Sequence, residues 1–166
     1  MNEQVFTPDA ANSRALRDAY GRFATGVTVV TIAGPDGPVG FTANSFASVS
    51  LDPALVLWSP ARSAQRFALF ATAPQFAIHV LAADQLPLAH RFVRGGAGFA
   101  GLDHAMTPEG LPALPGTLAR FDCDHHSAHD GGDHAIIIGR VLRATLGQGA
   151  PLAFSQGHFG SFSPMS

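Results

Sequence analysis

Small hydroxyl and amide side chains break into an otherwise apolar, strand-like run at Gly40-Phe41-Thr42-Ala43-Asn44-Ser45-Phe46-Ala47-Ser48-Val49-Ser50-Leu51-Asp52-Pro53. Val, Ile, Leu and aromatics fill a half-buried pleated surface best, so Thr42, Ala43, Asn44, Ser45, Ser48 and Ser50 leave space and hydrogen-bonding capacity that a plain core strand lacks. A flat molecule with a polar edge would fit there; an edge strand entering a Ser-rich turn would show the same spacing. A second concentration of reactive groups is Asp122, Asp124, His125, His126, His129, Asp130, Asp133 and His134. His and carboxylates suit zinc or iron. On a strand, however, adjacent His125 and His126 point to opposite faces and share one ion only across a bulge, so no metal is expected. Asp130-Gly131-Gly132-Asp133-His134 reads as a tight hairpin turn, because adjacent glycines reach positive φ. His134 then starts a strand, where an imidazole can also simply bond to backbone. Gly96-Ala97-Gly98-Phe99-Ala100-Gly101 spells Gly-x-Gly-x-x-Gly, yet it follows a helical pattern and leads into a loop, whereas the dinucleotide fingerprint needs a strand before and a helix after. Cys123 is the single cysteine. It reads as a small buried hydrophobe and fits a reducing compartment.

The elements that must position these groups follow from periodicity. Leu16, Ala19, Tyr20 and Phe23 at helical spacing predict an amphipathic helix over Ser13 to Ala24, ending near Gly26. β-Branched residues predict a strand from Val27 to Ala33. The turn formers Gly34-Pro35-Asp36-Gly37-Pro38 close a hairpin with a strand starting at Val39, and Leu55 to Trp58 is the next buried strand. Ser63 is placed to cap a helix over Ala64 to Ala71, Pro74 releases the chain into a strand over Gln75 to Leu81, and Asp84 caps a helix over Gln85 to Phe92. Gly95 to Leu118, rich in Gly and Pro, reads as a long functional loop suited to a mobile wall over a site. Strands return at Ala119 to Ser127 and His134 to Leu146, on either side of a turn through His129 to Asp133, and again at Leu152 to Phe154. Many short strands with few helices predict a mainly β fold, an antiparallel barrel whose closure removes exposed edges.

All ten basic residues are Arg, scattered against twelve acids for a formal charge of -2. Nucleic acid binding needs a clustered basic footprint, and none is present. No apolar run approaches the roughly 18 residues of a spanning helix, and Met1 to Ala11 lacks the pattern of an export signal, so a soluble, cytoplasmic protein without membrane contact is expected. The 166 residues suit a single domain over 1–166. Charged residues make up 13% against about 25% in typical domains, a thin polar surface that predicts burial of part of the exterior in a homodimer.

Several stretches, taken in order, resemble the flavin reductase-like family: Arg22-Phe23-Ala24-Thr25-Gly26-Val27-Thr28-Val29-Val30-Thr31, the run from Gly40 to Pro53, Phe76-Ala77-Ile78-His79-Val80-Leu81, Asp84-Gln85, Phe99-Ala100-Gly101, Gly110-Leu111-Pro112, Asp130 to His134 with Ile138-Gly139-Arg140-Val141, and Pro151-Leu152-Ala153-Phe154 with Gly157-His158-Phe159-Gly160. The resemblance covers most of the chain. It implies an FMN-binding split barrel that takes hydride from NADH or NADPH, reduces FMN or FAD, and supplies the product to a separate monooxygenase component. It also implies that Thr42, Ala43, Asn44 and Ser45 line the isoalloxazine edge, with Ser48, Val49 and Ser50 continuing that wall. Ser59, Arg62, Ser63 and Ala64 fall where the family enters a helix through a hydroxyl-rich turn, which makes Ser63 and Arg62 the phosphate candidates, with helix capping as the other reading of Ser63. His134 falls beside the flavin face where the nicotinamide stacks. Phe92, Phe99 and Phe159 offer apolar walls, or simply core. Gln65 stands where the family commonly carries a second hydroxyl, and Gly98 where it often carries a basic residue. Hydride passage from nicotinamide C4 to flavin N5 needs no protein nucleophile, only two rings held at reacting distance. A non-catalytic flavin-binding protein of the same fold would share these features, and only turnover separates the two.

Overall fold

The computed structural model describes residues 3–94 and 97–165. Met1 and Asn2 of the amino-terminal segment, Gly95 at the expected start of the long loop, and Gly96 of the Gly-x-Gly-x-x-Gly run lie outside the described residues. In order, the elements are α1 (Ser13–Gly21), β1 (Thr25–Gly26), β2 (Thr28–Ile32), β3 (Val39–Ala43), β4 (Ala47–Leu51), β5 (Ala54–Trp58), α2 (Phe67–Thr72), β6 (Gln75–Val80), a 3-10 turn (Ala83–Gln85), α3 (Leu86–Arg91), β7 (Ala105–Met106), β8 (Pro112–Ala113), β9 (Ala119–Gly131), β10 (His134–Leu146), β11 (Leu152–Ser155) and β12 (His158–Ser161).

Seven antiparallel strands form one sheet in the order β3-β2-β6-β9-β10-β5-β4. β-Branched Thr28-Val29-Val30-Thr31-Ile32 is buried at every position, as a central strand covered on both faces must be. The sheet curls, so that Phe41 on the edge strand β3 meets Trp58 on β5 edge-on at 5.6 Å. Inside lie Val30, Ile32, Val56, Phe70, Phe76, Ile78 and Ile137. Phe76 presses against the β10 backbone so closely that a Cβ at Gly139 would stand 2.6 Å from the ring. A second apolar cluster, including Val29, Leu81, Phe92 and Leu114, fills the opposite face of the sheet.

Several expected boundaries shift. Helix α1 stops at Gly21 rather than Ala24, because Thr25 and Gly26 are drawn into β1, which pairs with Phe154 and Ala153 of β11. Helix α2 begins at Phe67, so Ser63 does not cap it; the chain first makes two tight turns, Ala64 N–H to Ala61 O and Phe67 N–H to Ala64 O, and Arg66 takes the cap position. Asp84 is not a cap either. The Gln85 side chain accepts the Ala82 N–H at 3.0 Å and does that work. The expected mobile loop is tied down by the β7–β8 ribbon, by burial of Leu111, Ala113 and Leu114, and by a 2.7 Å bond from the Thr31 hydroxyl to the Pro112 carbonyl. β9 runs on to Gly131, and the hairpin turn shrinks to Gly132 and Asp133, with Gly132 at φ 75. The β12 strand was not anticipated; with β1 and β11 it makes a separate three-stranded sheet.

Candidate functional site

Three turns are stitched together by hydrogen bonds, and they carry most of the polar candidates. Ser45, between β3 and β4, accepts the Ser59 N–H on its Oγ at 2.8 Å. Beyond β5, the Pro60 carbonyl accepts the Ala135 N–H at 3.1 Å, and Ala61 bridges to His134. Arg62 then fixes the tip of the β9–β10 hairpin: its N–H reaches Asp133 O at 2.9 Å, its Nε reaches Gly132 O at 3.1 Å, and its Nη2 reaches Asp130 Oδ1 at 2.8 Å. Ser45 and Ser59, and Ala61 and His134, are thereby neighbours, although they are far apart in sequence. His134 is half-exposed, and its Nδ1 lies 2.7 Å from Asp133 Oδ1. The imidazole beside it holds the Asp133 carboxyl below its usual range.

An apolar cleft of about 160 Å³ opens against Thr42, Ala43 and Asn44, with Val27, Phe154 and Phe159 as its opposite wall. Phe159 packs on Phe154 at 5.0 Å. Thr42 also borders a groove of about 300 Å³ that runs past Ser63, Ala64 and Gln65 to Arg66 and Arg94. A flat apolar ring against the phenylalanines, with an anionic tail toward two guanidinium groups and a hydroxyl, matches this donor set.

The structure reassigns several candidates. Thr42 is spent internally: its hydroxyl donates to Ala89 O at 2.6 Å and its N–H to Phe92 O at 3.2 Å, so it braces β3 against α3 and offers the cleft only its carbon face. Ser45 braces Ser59 in the same way. Ser48 and Val49 are exposed, and Ser50 is half-buried, on the edge strand β4, which carries a bulge between Ser48 and Ser50; none of the three borders the cleft or the groove. Arg62 is bonded to the hairpin and Asp130 and does not border the groove, whereas Arg66 and Arg94 do. Phe99 sits behind the site, edge-on to Phe92 at 4.9 Å and to His104 at 4.9 Å.

Arg66 was missed, as were Phe154 and Arg94. Arg66 donates to the carbonyls of Gly40, Phe92 and Val93, and burial lowers its pKa. The Phe92 ring lies on the Gly40 backbone, where a Cβ would come within 2.2 Å of it. A lone Arg in the apolar first turn of an expected helix, four residues after Arg62, was the available signal. No three His, Cys, Asp or Glu side chains converge on a metal position among the described residues. A bulge does occur at His126, between the Ile138–Ser127 and Gly139–His125 pairs, yet it brings no ligand set together. Cys123 is fully buried and its thiol is pushed up to about 12, chiefly by burial, which leaves it inert.

A flavin reductase like domain profile matches residues 20–163. The FMN reductase (NADH) SmoA of Agrobacterium fabrum is 59% identical over 162 residues, 98% of this chain and 93% of that protein. The reductase subunit HsaB of a flavin-dependent monooxygenase from Rhodococcus jostii is 39% identical over 158 residues, 94% of this chain and 81% of that one. Among solved structures, the NADH:FAD oxidoreductase SgcE6 of Streptomyces globisporus C-1027 superposes with a TM-score of 0.89 at 37% identity, across 100% of this chain and 96% of that chain. The same oxidoreductase in complex with NAD and FAD fragments gives 0.88 at 38% identity, across 96% and 98%.

Proposed function

This chain belongs to the flavin reductase-like family, and we propose that it moves hydride from NADH to FMN or FAD and hands the reduced flavin to a separate monooxygenase component. The observation that carries the reading is an apolar cleft lined by Val27, Ala43, Asn44, Phe154 and Phe159 that meets a cationic groove at Thr42, with the stitched turns tying Ser59 to Ser45 and His134 to Ala61. Bound flavin supplies the hydride acceptor. Phe154 and Phe159 wall the cleft and keep water from it, Asn44 and the backbone of Ala43 stand at its polar lip, and Ser63, Arg66 and Arg94 take the phosphate. His134, held by Asp133 at 2.7 Å, would position the nicotinamide. No side chain has to accept or donate a proton during transfer, so the protein contributes orientation and a dry slot.

One domain carries this activity, as a homodimer in the cytoplasm. Support for the dimer is the 13% charged fraction together with large apolar side chains left on the surface, among them Leu51 at 97% and Leu146 at 87% exposure. Cytoplasmic residence is supported by the lone buried Cys123. Among the described residues, no helix is long and apolar enough to cross a membrane.

The test is NADH oxidation with and without added flavin, on the native chain and on His134→Ala. The native chain should consume NADH only when flavin is added. His134→Ala should raise KM for NADH or slow hydride transfer, with flavin affinity and thermal midpoint little changed. Flavin-independent NADH consumption, or none at all, overturns the reading; unchanged nicotinamide kinetics in a stable His134→Ala removes His134 from it.

A further inference from the structure

A second groove, of about 380 Å³, opens between the end of α1 and the β11–β12 turn, where Arg17, Asp18, Arg22, Phe154 and Gln156 line it. Its two walls are tied together, because the Gln156 N–H and the Ser155 hydroxyl both donate to Gly21 O, at 2.8 and 3.2 Å. Phe154 also belongs to the wall of the apolar cleft opposite Thr42. This groove therefore meets the cleft on the side away from Arg66 and Arg94. Two guanidinium groups share it with one carboxylate, an excess of positive charge, and among the described residues neither Arg17 nor Arg22 makes an ion pair. Arg17 is also within electrostatic reach of the hairpin tip: after the bond and the charge of His134, its charge is a lesser cause of the low Asp133 carboxyl. Gln156 stands at φ 50, a left-handed turn position that Asn, Asp or Gly fills with less strain.

A single exposed arginine is ordinary. Two without partners, one phenylalanine away from a slot for reacting rings, suit the forked grip of guanidinium on phosphate oxygens. NADH carries a diphosphate between its nicotinamide and its adenosine, and that half of the molecule has to leave the cleft. The Thr42 side is taken by the groove assigned to the flavin phosphate, which leaves the Phe154 side. We propose that Arg17 and Arg22 bind the diphosphate of NADH, with Gln156 as a polar contact for the adenosine half. The inference rests on the functional reading above and adds to it the place where the second substrate is anchored.

Two hydride donors test it with FMN as acceptor: NADH, and N-benzyl dihydronicotinamide, which has the same reacting ring but neither phosphate nor adenosine. Arg17→Gln with Arg22→Gln should raise KM for NADH about tenfold, the order expected when charged hydrogen bonds to phosphate are lost. KM for the benzyl donor, FMN affinity and thermal midpoint should stay native, which a merely structural role for the pair would not allow. Arg17→Lys with Arg22→Lys, which keeps the charge, should recover a large part of the NADH affinity. Free ADP should compete with NADH on the native chain and lose its hold in the Gln pair. An unchanged KM for NADH, or an equal rise for both donors, would overturn the proposal. So would a larger loss of affinity for FAD than for FMN, which would give the groove to the adenylate of the flavin. A native chain that oxidises neither donor would overturn the functional reading and this inference with it, whereas native turnover of both donors beside any of those results overturns this inference alone.

Discussion

His79 has no contact with water, yet both of its ring nitrogens are used. Nδ1 lies 3.0 Å from Val29 O, to which it donates, and Nε2 accepts the Leu114 N–H at 3.2 Å. That pairing requires the neutral ring, and burial pushes its pKa down to about 4, the Arg120 charge adding to the effect and the Val29 bond opposing it. In the unfolded chain the same imidazole titrates at about 6.5. Between pH 6.5 and about 4 the unfolded chain therefore binds a proton that the folded chain refuses, and stability falls as pH falls through that window, by about 3 kcal/mol at its lower end. His79→Gln, which can still accept from Leu114 but does not titrate, should be less stable at pH 7 and should lose less on acidification. Urea midpoints of both proteins at pH 7, 5.5 and 4.5 check this; parallel pH profiles would show that His79 does not carry the effect. Sequence periodicity placed His79 correctly on a strand. It did not reveal the partner, because Leu114 sits in a stretch with no period at all, held by contacts made one at a time.

The β9–β10 hairpin shows the same limit at a larger size. Its glycines announced a turn, but the tip is tighter than expected because the strand ladder runs on to the Gly131–His134 pair, and what aims the tip is Arg62, seventy residues upstream of Gly132. The Arg62–Asp130 ion pair is itself exposed, 44% and 83%, and such pairs contribute about 0–1 kcal/mol. The two bonds to Gly132 and Asp133 carbonyls add direction rather than much stability. If His134 positions the nicotinamide as proposed, Arg62→Ala should cost little in thermal midpoint but raise KM for NADH several-fold, because the hairpin tip that carries His134 is no longer fixed, while flavin affinity stays near native. If Arg62 instead held the flavin phosphate, as its place after Ser59 suggests, flavin affinity would fall and KM for NADH would not. Steady-state kinetics beside a flavin titration distinguishes the two. Arg66→Ala should show the opposite pattern, weaker flavin binding and a lower midpoint, since it also unties Gly40 from Phe92 and Val93.

For the molecule as a whole, the barrel was legible because alternation and turn residues marked six of the seven strands of the main sheet, β4 being hidden in the polar run from Gly40 to Pro53, and the candidate site was read mainly from a set of ordered motifs. The surface was legible only as a shortage of charge, and the structure shows where that shortage lies. β4 is an edge strand, and its register puts Leu51 opposite Ala54 while Leu55 pairs with Arg140. Beyond Arg140, β10 continues with β9 on one side only, so Leu142 and Leu146 lie past the end of the β5 ladder while Leu51 stands at the end of β4 beside it, exposed by 45%, 87% and 97%. An edge bearing apolar side chains pairs with another chain unless charge or cover prevents it, and no charged side chain lies between Ala47 and Leu51. A second copy of the same surface is the simplest cover, since two-fold dimers are the commonest assembly. Light scattering on the native chain should give twice the chain mass of 17.3 kDa. Leu51→Asp with Leu142→Asp should bring it to the monomer, because two carboxylates would have to be buried against apolar partners. A dimer that survives both substitutions would place the interface elsewhere, and a native monomer at high concentration would leave this edge open to a different chain.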